Sequence, residues 1–243
     1  MKKSFFVFLL PLFFFAWLPA QAQKTLAVAT GNYKPFQFKD REGKLIGYDI
    51  ELGNEIAKRL GVKFQWKQMD FRQIFPSLDD GSCRLAIAAL HSTKAREKKY
   101  ALSSWYLKTG LVVVARKTGK KIGSLDDLKG LTVAVKEKAT GNDFARENGL
   151  KLGFKYKEYL STEQSFAALK NGEVDAVFND YLSSRIYLKE NPDYLIPFPP
   201  FASCGLAIAA GKSSSALISR ISAILGDLEK EGFLKKLYIK WLL

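Results

Sequence analysis

The sequence predicts an α/β protein of two lobes facing each other across a cleft, each lobe a mainly parallel sheet flanked by helices. Three observations carry that expectation. Strand-like and helix-like patterns alternate in the order βαβαβ over residues 25–90, which points to a parallel sheet with crossover helices. Within it, residues 85–96 (LAIAALHSTKAR) read as a strand buried on both faces, a small polar turn and the start of a helix. The theme returns over residues 131–148, where an apolar strand runs through Ala139-Thr140-Gly141-Asn142 into another helix.

At the N-terminus, Lys2 and Lys3 precede an apolar run over residues 5–18, and Ala20-Gln21-Ala22 supplies a small-residue cleavage pattern. The run is short for a spanning helix and contains Pro11, so residues 1–22 are expected to be a cleaved signal peptide and the mature chain to be exported and soluble. Residues 25–29 form a first strand. In the loop that follows, Tyr33 and Phe36 flank Pro35, and these rings either line a cleft or close the core beneath it. Asp40-Arg41-Glu42-Gly43 reads as a hairpin turn. Residues 47–61 form a helix with Ile50, Ile56, Ala57 and Leu60 near one face and Gly61 as its stop. A strand over 62–66 and a helix over 71–78, interrupted early by Pro76, lead to the central strand at 85–90. Ser92 or Thr93 caps the helix that carries Arg96.

The second half opens with a buried strand over 110–115, a basic turn over 116–121 and a short capped helix over 124–130. After the strand at 131–135 and the helix beginning at 143, residues 161–171 form an amphipathic helix with Phe166 and Leu169 facing inward. Gly172 ends it, and the strand at 174–178 delivers Asn179 and Asp180 at its carboxyl end. A helix over 181–188, a proline-marked loop over 197–200, a strand over 205–210 and helices over 215–231 and 233–243 complete the chain.

Composition excludes several classes. The formal charge of +14 falls to +12 without Lys2 and Lys3, but the lysines are scattered and no aromatic-basic motif accompanies them, so no nucleic acid is expected. Cys83 and Cys204 lie too far apart for spacing to say whether they pair. A single histidine with no Cys/His cluster argues against zinc, and neither a G-x-S-x-G elbow nor a phosphate-cradling loop is present, so no cofactor is expected. What remains is a pair of charges at strand ends. Arg96 can fork onto a carboxylate, and Asp180 suits an ammonium group, although aspartates at strand ends also cap helices. Facing each other across a cleft they would hold a zwitterion, each charge-assisted hydrogen bond contributing about 1.5–3 kcal/mol once desolvated. That predicts an amino acid as ligand.

Five segments then match one family in order and spacing. They are Gly47-Tyr48-Asp49-Ile50-Glu51-Leu52 with the Ile56-Ala57 helix, Thr93-x-x-Arg96, residues 124–130, Gly172-x-x-Asp175-Ala176-Val177-x-x-Asp180, and residues 235–241. Over its whole mature length the chain resembles the periplasmic solute-binding proteins of polar amino acid ABC importers. The resemblance implies the type II periplasmic binding protein fold, with lobe 1 from residues 23–106 plus 203–243 and lobe 2 from 107–202. The lobes would be hinged by strands crossing near residues 105–108 and 201–205. It further implies a monomer without enzymatic activity, a free amino acid as ligand and the membrane permease of an ABC importer as partner. By position, Arg96 would clamp the ligand α-carboxylate with help from backbone N–H groups near His91 and Thr140. Ala89 and Leu90 belong to the same ligand-facing stretch, Asp180 would take the α-ammonium, and Tyr33 and Phe71 would form apolar walls. Lys136 falls where glutamine-binding members place a lysine near the ligand side chain.

The chain departs from that pattern at Ala89, where the family often has Gly or Ser, and at His91, where it has Ser or Thr. Arg84 stands where an Asp usually begins the strand, and Thr30-Gly31-Asn32 lacks the acid that members binding cationic side chains carry. The missing acid argues against lysine, arginine or ornithine. Lys136, with a protonated His91, favours an acceptor side chain such as glutamine or glutamate. Two other functions share the fold: a cyclohexadienyl-dehydratase-like enzyme, and a sensor presenting its closed form to a membrane receptor. The enzyme needs a general acid, and the sequence places no carboxylate constellation beside His91.

Overall fold

The computed structural model describes residues 23–243, so the expected signal segment lies outside the described residues. β1 (Thr25–Thr30), β4 (Lys63–Gln68) and β5 (Leu85–His91) form a parallel group with β1 in the middle. The short strands β2 (Phe38–Lys39) and β3 (Leu45–Ile46) make the expected hairpin around residues 40–43. α1 (Tyr48–Leu60) begins after Gly47 and ends on Gly61, whose left-handed backbone lets its N–H reach the carbonyls of Ala57 and Lys58. Gly47 has no substitute, because a Cβ there would meet the Phe36 carbonyl oxygen at 2.2 Å. α2 (Phe71–Asp79) differs from expectation: it runs straight through Pro76. Pro76 and Arg72 are both exposed, so the Arg72 carbonyl left without its i+4 donor faces water.

α3 (Lys94–Lys99), capped by Thr93, is followed by β6 (Tyr100–Leu102) and the long β7 (Leu107–Arg116). Residues 124–130 form a 3₁₀ turn over Asp126–Leu128 in place of a Ser-capped helix, because Asp127 accepts the Gly123 and Ser124 N–H groups itself. The second parallel group comprises β8 (Thr132–Lys136), β9 (Lys155–Tyr159) and β10 (Ala176–Asp180), with β8 central. Between them run α4 (Thr140–Leu152) and α5 (Thr162–Lys170), and α6 (Tyr181–Glu190) follows β10. The chain ends with β11 (Tyr194–Leu195), the long β12 (Ala202–Gly211), α7 (Ser215–Lys230) and α8 (Phe233–Leu242).

The strands join in the order β4-β1-β5-β12-β7-β10-β8-β9. Two parallel groups are therefore connected by a central antiparallel pair. Residues 202–206 of β12 pair with 107–111 of β7, after which β12 continues along β5 and β7 continues along β10. Each group has apolar packing on both faces. Ile56, Ile87 and Ile221 belong to one face of the first group and Ile74, Ala86 and Leu90 to the other, while Val133, Val135 and Phe178 oppose Val112, Ala134 and Val177 in the second. This is the predicted two-lobed α/β architecture, and the cleft lies between the carboxyl ends of β5, β8 and β10.

Candidate ligand cleft

Two strand–turn–helix units build the walls. In the first, β5 ends at His91 and Thr93 accepts the Arg96 N–H at 3.2 Å to start α3. This places the Arg96 guanidinium back over the strand end, where it donates to the His91 carbonyl at 2.9 Å and stacks over Phe75 at 4.8 Å. Arg96 is 9% exposed, and among the described residues no carboxylate lies within 4.0 Å of it. Burial pulls its ionisation down to about 10. A buried, unpaired guanidinium is costly unless an anion joins it.

In the second wall, β8 delivers Lys136 and the turn after it starts α4 at Thr140. Thr140 therefore sits in the first helical turn, not in the loop before it. The Lys136 ammonium lies 4.4 Å from the centre of the Phe71 ring and 5.3 Å from that of Tyr33, both on the opposite wall. It also has no carboxylate within 4.0 Å among the described residues, and burial lowers its amine to about 8.

Asp180 ends β10 and caps α6 by accepting the Ser183 N–H at 3.0 Å. Its other oxygen accepts from Thr109 Oγ1 at 2.5 Å and lies 3.0 Å from His91 Nε2. Of the two roles expected of a strand-end aspartate, these contacts show the helix cap. The contact also corrects the expectation that no carboxylate accompanies His91: β5 and β10 bring the two together from positions 89 residues apart. The walls meet elsewhere too. The Tyr33 hydroxyl donates to Asn179 Oδ1 at 2.8 Å, Ser183 Oγ donates to the Lys34 carbonyl at 2.9 Å, and Arg72 pairs with Glu137 at 3.2 Å. Burial, then the Asp180 charge, holds the Tyr33 phenol well above the usual tyrosine range.

Tyr33, Phe71, Ala89, His91, Arg96, Lys136, Thr140 and Asp180 all line one cavity between the walls. Leu90 does not: its side chain is buried among Ile74, Leu78 and Cys83 on the far face of β5. Phe36 is fully buried in the core, which settles the two readings of that loop in favour of Tyr33 as the cleft residue. Gln37, Thr162, Phe178 and Asn179 also line the cavity. Of these, Asn179 had a sequence signal, its place at the end of a buried strand. Cys83 and Cys204 are separate buried thiols, and burial pushes the Cys204 thiol up to about 12.

The profile of the bacterial extracellular solute-binding proteins, family 3, matches residues 26–243. A probable amino-acid ABC transporter-binding protein of Haemophilus influenzae is 30% identical over 90% of this chain and 84% of its own length. The L-cystine-binding protein TcyA of Bacillus subtilis is 31% identical over 93% and 84%. Among solved structures, an ancestral arginine-binding protein bound to glutamine superposes with a TM-score of 0.83 at 37% identity, covering 91% of this chain and 99% of the other. The ancestral amino acid-binding protein AncCDT-1, a precursor of cyclohexadienyl dehydratase, gives 0.82 at 30%, covering 90% and 95%.

Proposed function

The chain belongs to the bacterial extracellular solute-binding proteins, family 3, and we propose that it captures a glutamine- or glutamate-type amino acid and delivers it to an ABC importer. The observation that carries this reading is a pair of cations with no carboxylate within 4.0 Å among the described residues, buried Arg96 on one wall and half-buried Lys136 on the other. Arg96 takes the ligand α-carboxylate, Asp180 the α-ammonium, and Lys136 an acceptor at the end of the side chain. A cationic side chain would place like charges together beside Lys136, with no acid in Thr30-Gly31-Asn32 to offset them. The glutamine bound by an ancestral arginine-binding protein 37% identical to this chain supports a side chain of this type.

Residues 23–106 and 203–243 act as one body and 107–202 as the other, hinged where 107–111 and 202–206 pair. Only the closed arrangement brings both walls onto the ligand, so ligand shifts the population toward it. The protein works as an exported periplasmic monomer, and the closed form docks on the permease.

The test is a thermal-shift screen of residues 23–243 against the common amino acids, with wild type and Arg96→Ala. Glutamate and glutamine raise the melting temperature of wild type in proportion to the logarithm of concentration, and neither moves the variant. A shift with arginine or cystine alone overturns the assignment of the side chain. A second reading has one observation in its favour, the buried His91–Asp180–Thr109 cluster, which could hold a catalytic proton. A cyclohexadienyl dehydratase assay decides it: turnover lost in His91→Asn would make the chain an enzyme, and absence of turnover is the result expected.

A further inference from the structure

Asp49 is a carboxylate that the ligand scheme leaves unused. It lies in the first turn of α1 and is completely buried, with no cation within 4.0 Å among the described residues. One oxygen accepts the Ala89 N–H at 2.6 Å and the other accepts the Tyr106 hydroxyl at 2.9 Å. A buried carboxylate with two donors and no counter-ion is expensive, and burial pushes its ionisation up to about 7 against those two bonds. Its partners suggest why it is there.

Ala89 has φ 48, in the left-handed region that a residue with a Cβ enters only when its surroundings hold it. The turn it makes is also visible in the sheet. Ala207 pairs with Leu90 and Ala209 with Ala86, so Ile87, Ala88 and Ala89 stand opposite Ile208 alone. Such bulges re-aim a strand locally, and this one lies where β5 meets the cavity, lined by Ala88, Ala89 and His91. Tyr106 is the residue before β7, one of the two strands that cross between the lobes. It stacks on Tyr48 at 6.0 Å and is itself buried.

We propose that Asp49 is a positioning residue of the cleft, holding Ala89 in its left-handed turn and tying that turn through Tyr106 to the start of the crossing strand. The proposal rests on the reading of β5 and α3 as the wall that receives the ligand carboxylate. Asp49 touches no ligand. It fixes the backbone from which His91 and Arg96 are presented, and it gives the hinge and that backbone one shared anchor.

The experiment compares wild type, Asp49→Ala and Asp49→Asn in the mature chain. Hydrogen exchange of the Ala89 amide is followed by NMR without ligand, and affinity for L-glutamate is measured by calorimetry. In Asp49→Ala the Ala89 amide exchanges at least about tenfold faster and glutamate binds about 10- to 100-fold more weakly. Asp49→Asn keeps an acceptor for Ala89 and a donor for the Tyr106 oxygen, and stays within about threefold of wild type on both measurements. Asp49→Ala combined with Ala89→Gly recovers part of the lost affinity, because glycine adopts the turn unaided. A purely structural role would lower the melting temperature while leaving the affinity of the folded protein unchanged. Unchanged Ala89 exchange, or glutamate affinity within about twofold in folded Asp49→Ala, overturns the proposal. If Asp49→Ala does not fold, Asp49→Ser replaces it under the same criteria. If wild type fails to bind glutamate, the ligand assignment falls, and the exchange measurement still decides the role of Asp49.

Discussion

The two walls of the cleft solve the same backbone problem by different means. Each contains one non-glycine residue in the left-handed region, Ala89 with φ 48 on the first wall and Lys138 with φ 60 on the second. In each, the N–H of that residue is taken by a side-chain oxygen. For Lys138 it is Asn142 Oδ1, 3.2 Å away and four residues along the chain. For Ala89 it is Asp49 Oδ2 at 2.6 Å, from forty residues away. Ala89 is buried and Lys138 is exposed. One wall is shaped by the tertiary structure and the other by a local turn. The difference matches the roles proposed above for the two walls, Arg96 on the first for the α-carboxylate and Lys136 on the second for the side chain.

The sharpest way to break this comparison is to place the same residue in both turns. A β-branched side chain is least able to adopt positive φ. Ala89→Val combines that strain with overpacking of a buried site and is expected to cost about 3 kcal/mol or more in denaturant unfolding, with loss of amino acid binding. Lys138→Val meets solvent instead of a core and is expected to cost about 1–2 kcal/mol. Equal losses would show that burial of the turn does not set its importance.

A smaller effect separates the walls by ligand. Lys136→Met weakens glutamate about tenfold in calorimetry while changing glutamine far less, because only the former loses an ion pair. The pH dependence has a definite sign. Burial holds the amine near 8 in place of the ordinary 10.5. Glutamate affinity is therefore full below about 8 and declines as the pH rises through it, with no such decline for glutamine. Unliganded stability moves the other way. Between about 8 and 10.5 the unfolded chain binds a proton that the folded chain lacks, so stability rises with pH across that window, and Lys136→Met removes the slope.

How much of this was legible in the sequence follows the same division. Features fixed by near neighbours could be read directly: the Gly61 stop, the Thr93 cap, the strand end that delivers Asp180, the βα rhythm of each lobe. Arg96 and Asp180 stand out because each lies by a strand end beside a turn, whereas Lys136 stands out only through the family resemblance. Features made by distant contacts were not visible. Nothing near Ala89 announces its positive φ, since the acceptor that holds it lies in another helix. The His91–Asp180 contact joins two strands 89 residues apart, and Leu90 was placed by its neighbours in the cleft when strand alternation turns it into the core. β9 was missed for a different reason: KYKEY is an edge strand, and its lysines and glutamate carry no buried-strand pattern.

The smallest expected effect probes the local turn. Lys138→Gly removes a left-handed cost of about 1–2 kcal/mol but frees the unfolded chain by about 0.4–1 kcal/mol, leaving a net gain of about 0.6–1 kcal/mol in denaturant unfolding. Because the Asn142 contact is a backbone N–H bond, glycine retains it, and the start of α4 with Thr140 should stay where it is. Glutamate affinity is therefore expected to remain within about twofold of wild type. A larger change would mean that the second wall owes its shape to the Lys138 side chain and not to the turn. The two walls would then differ in which side chain constrains them, and the contrast between tertiary and local control would no longer hold.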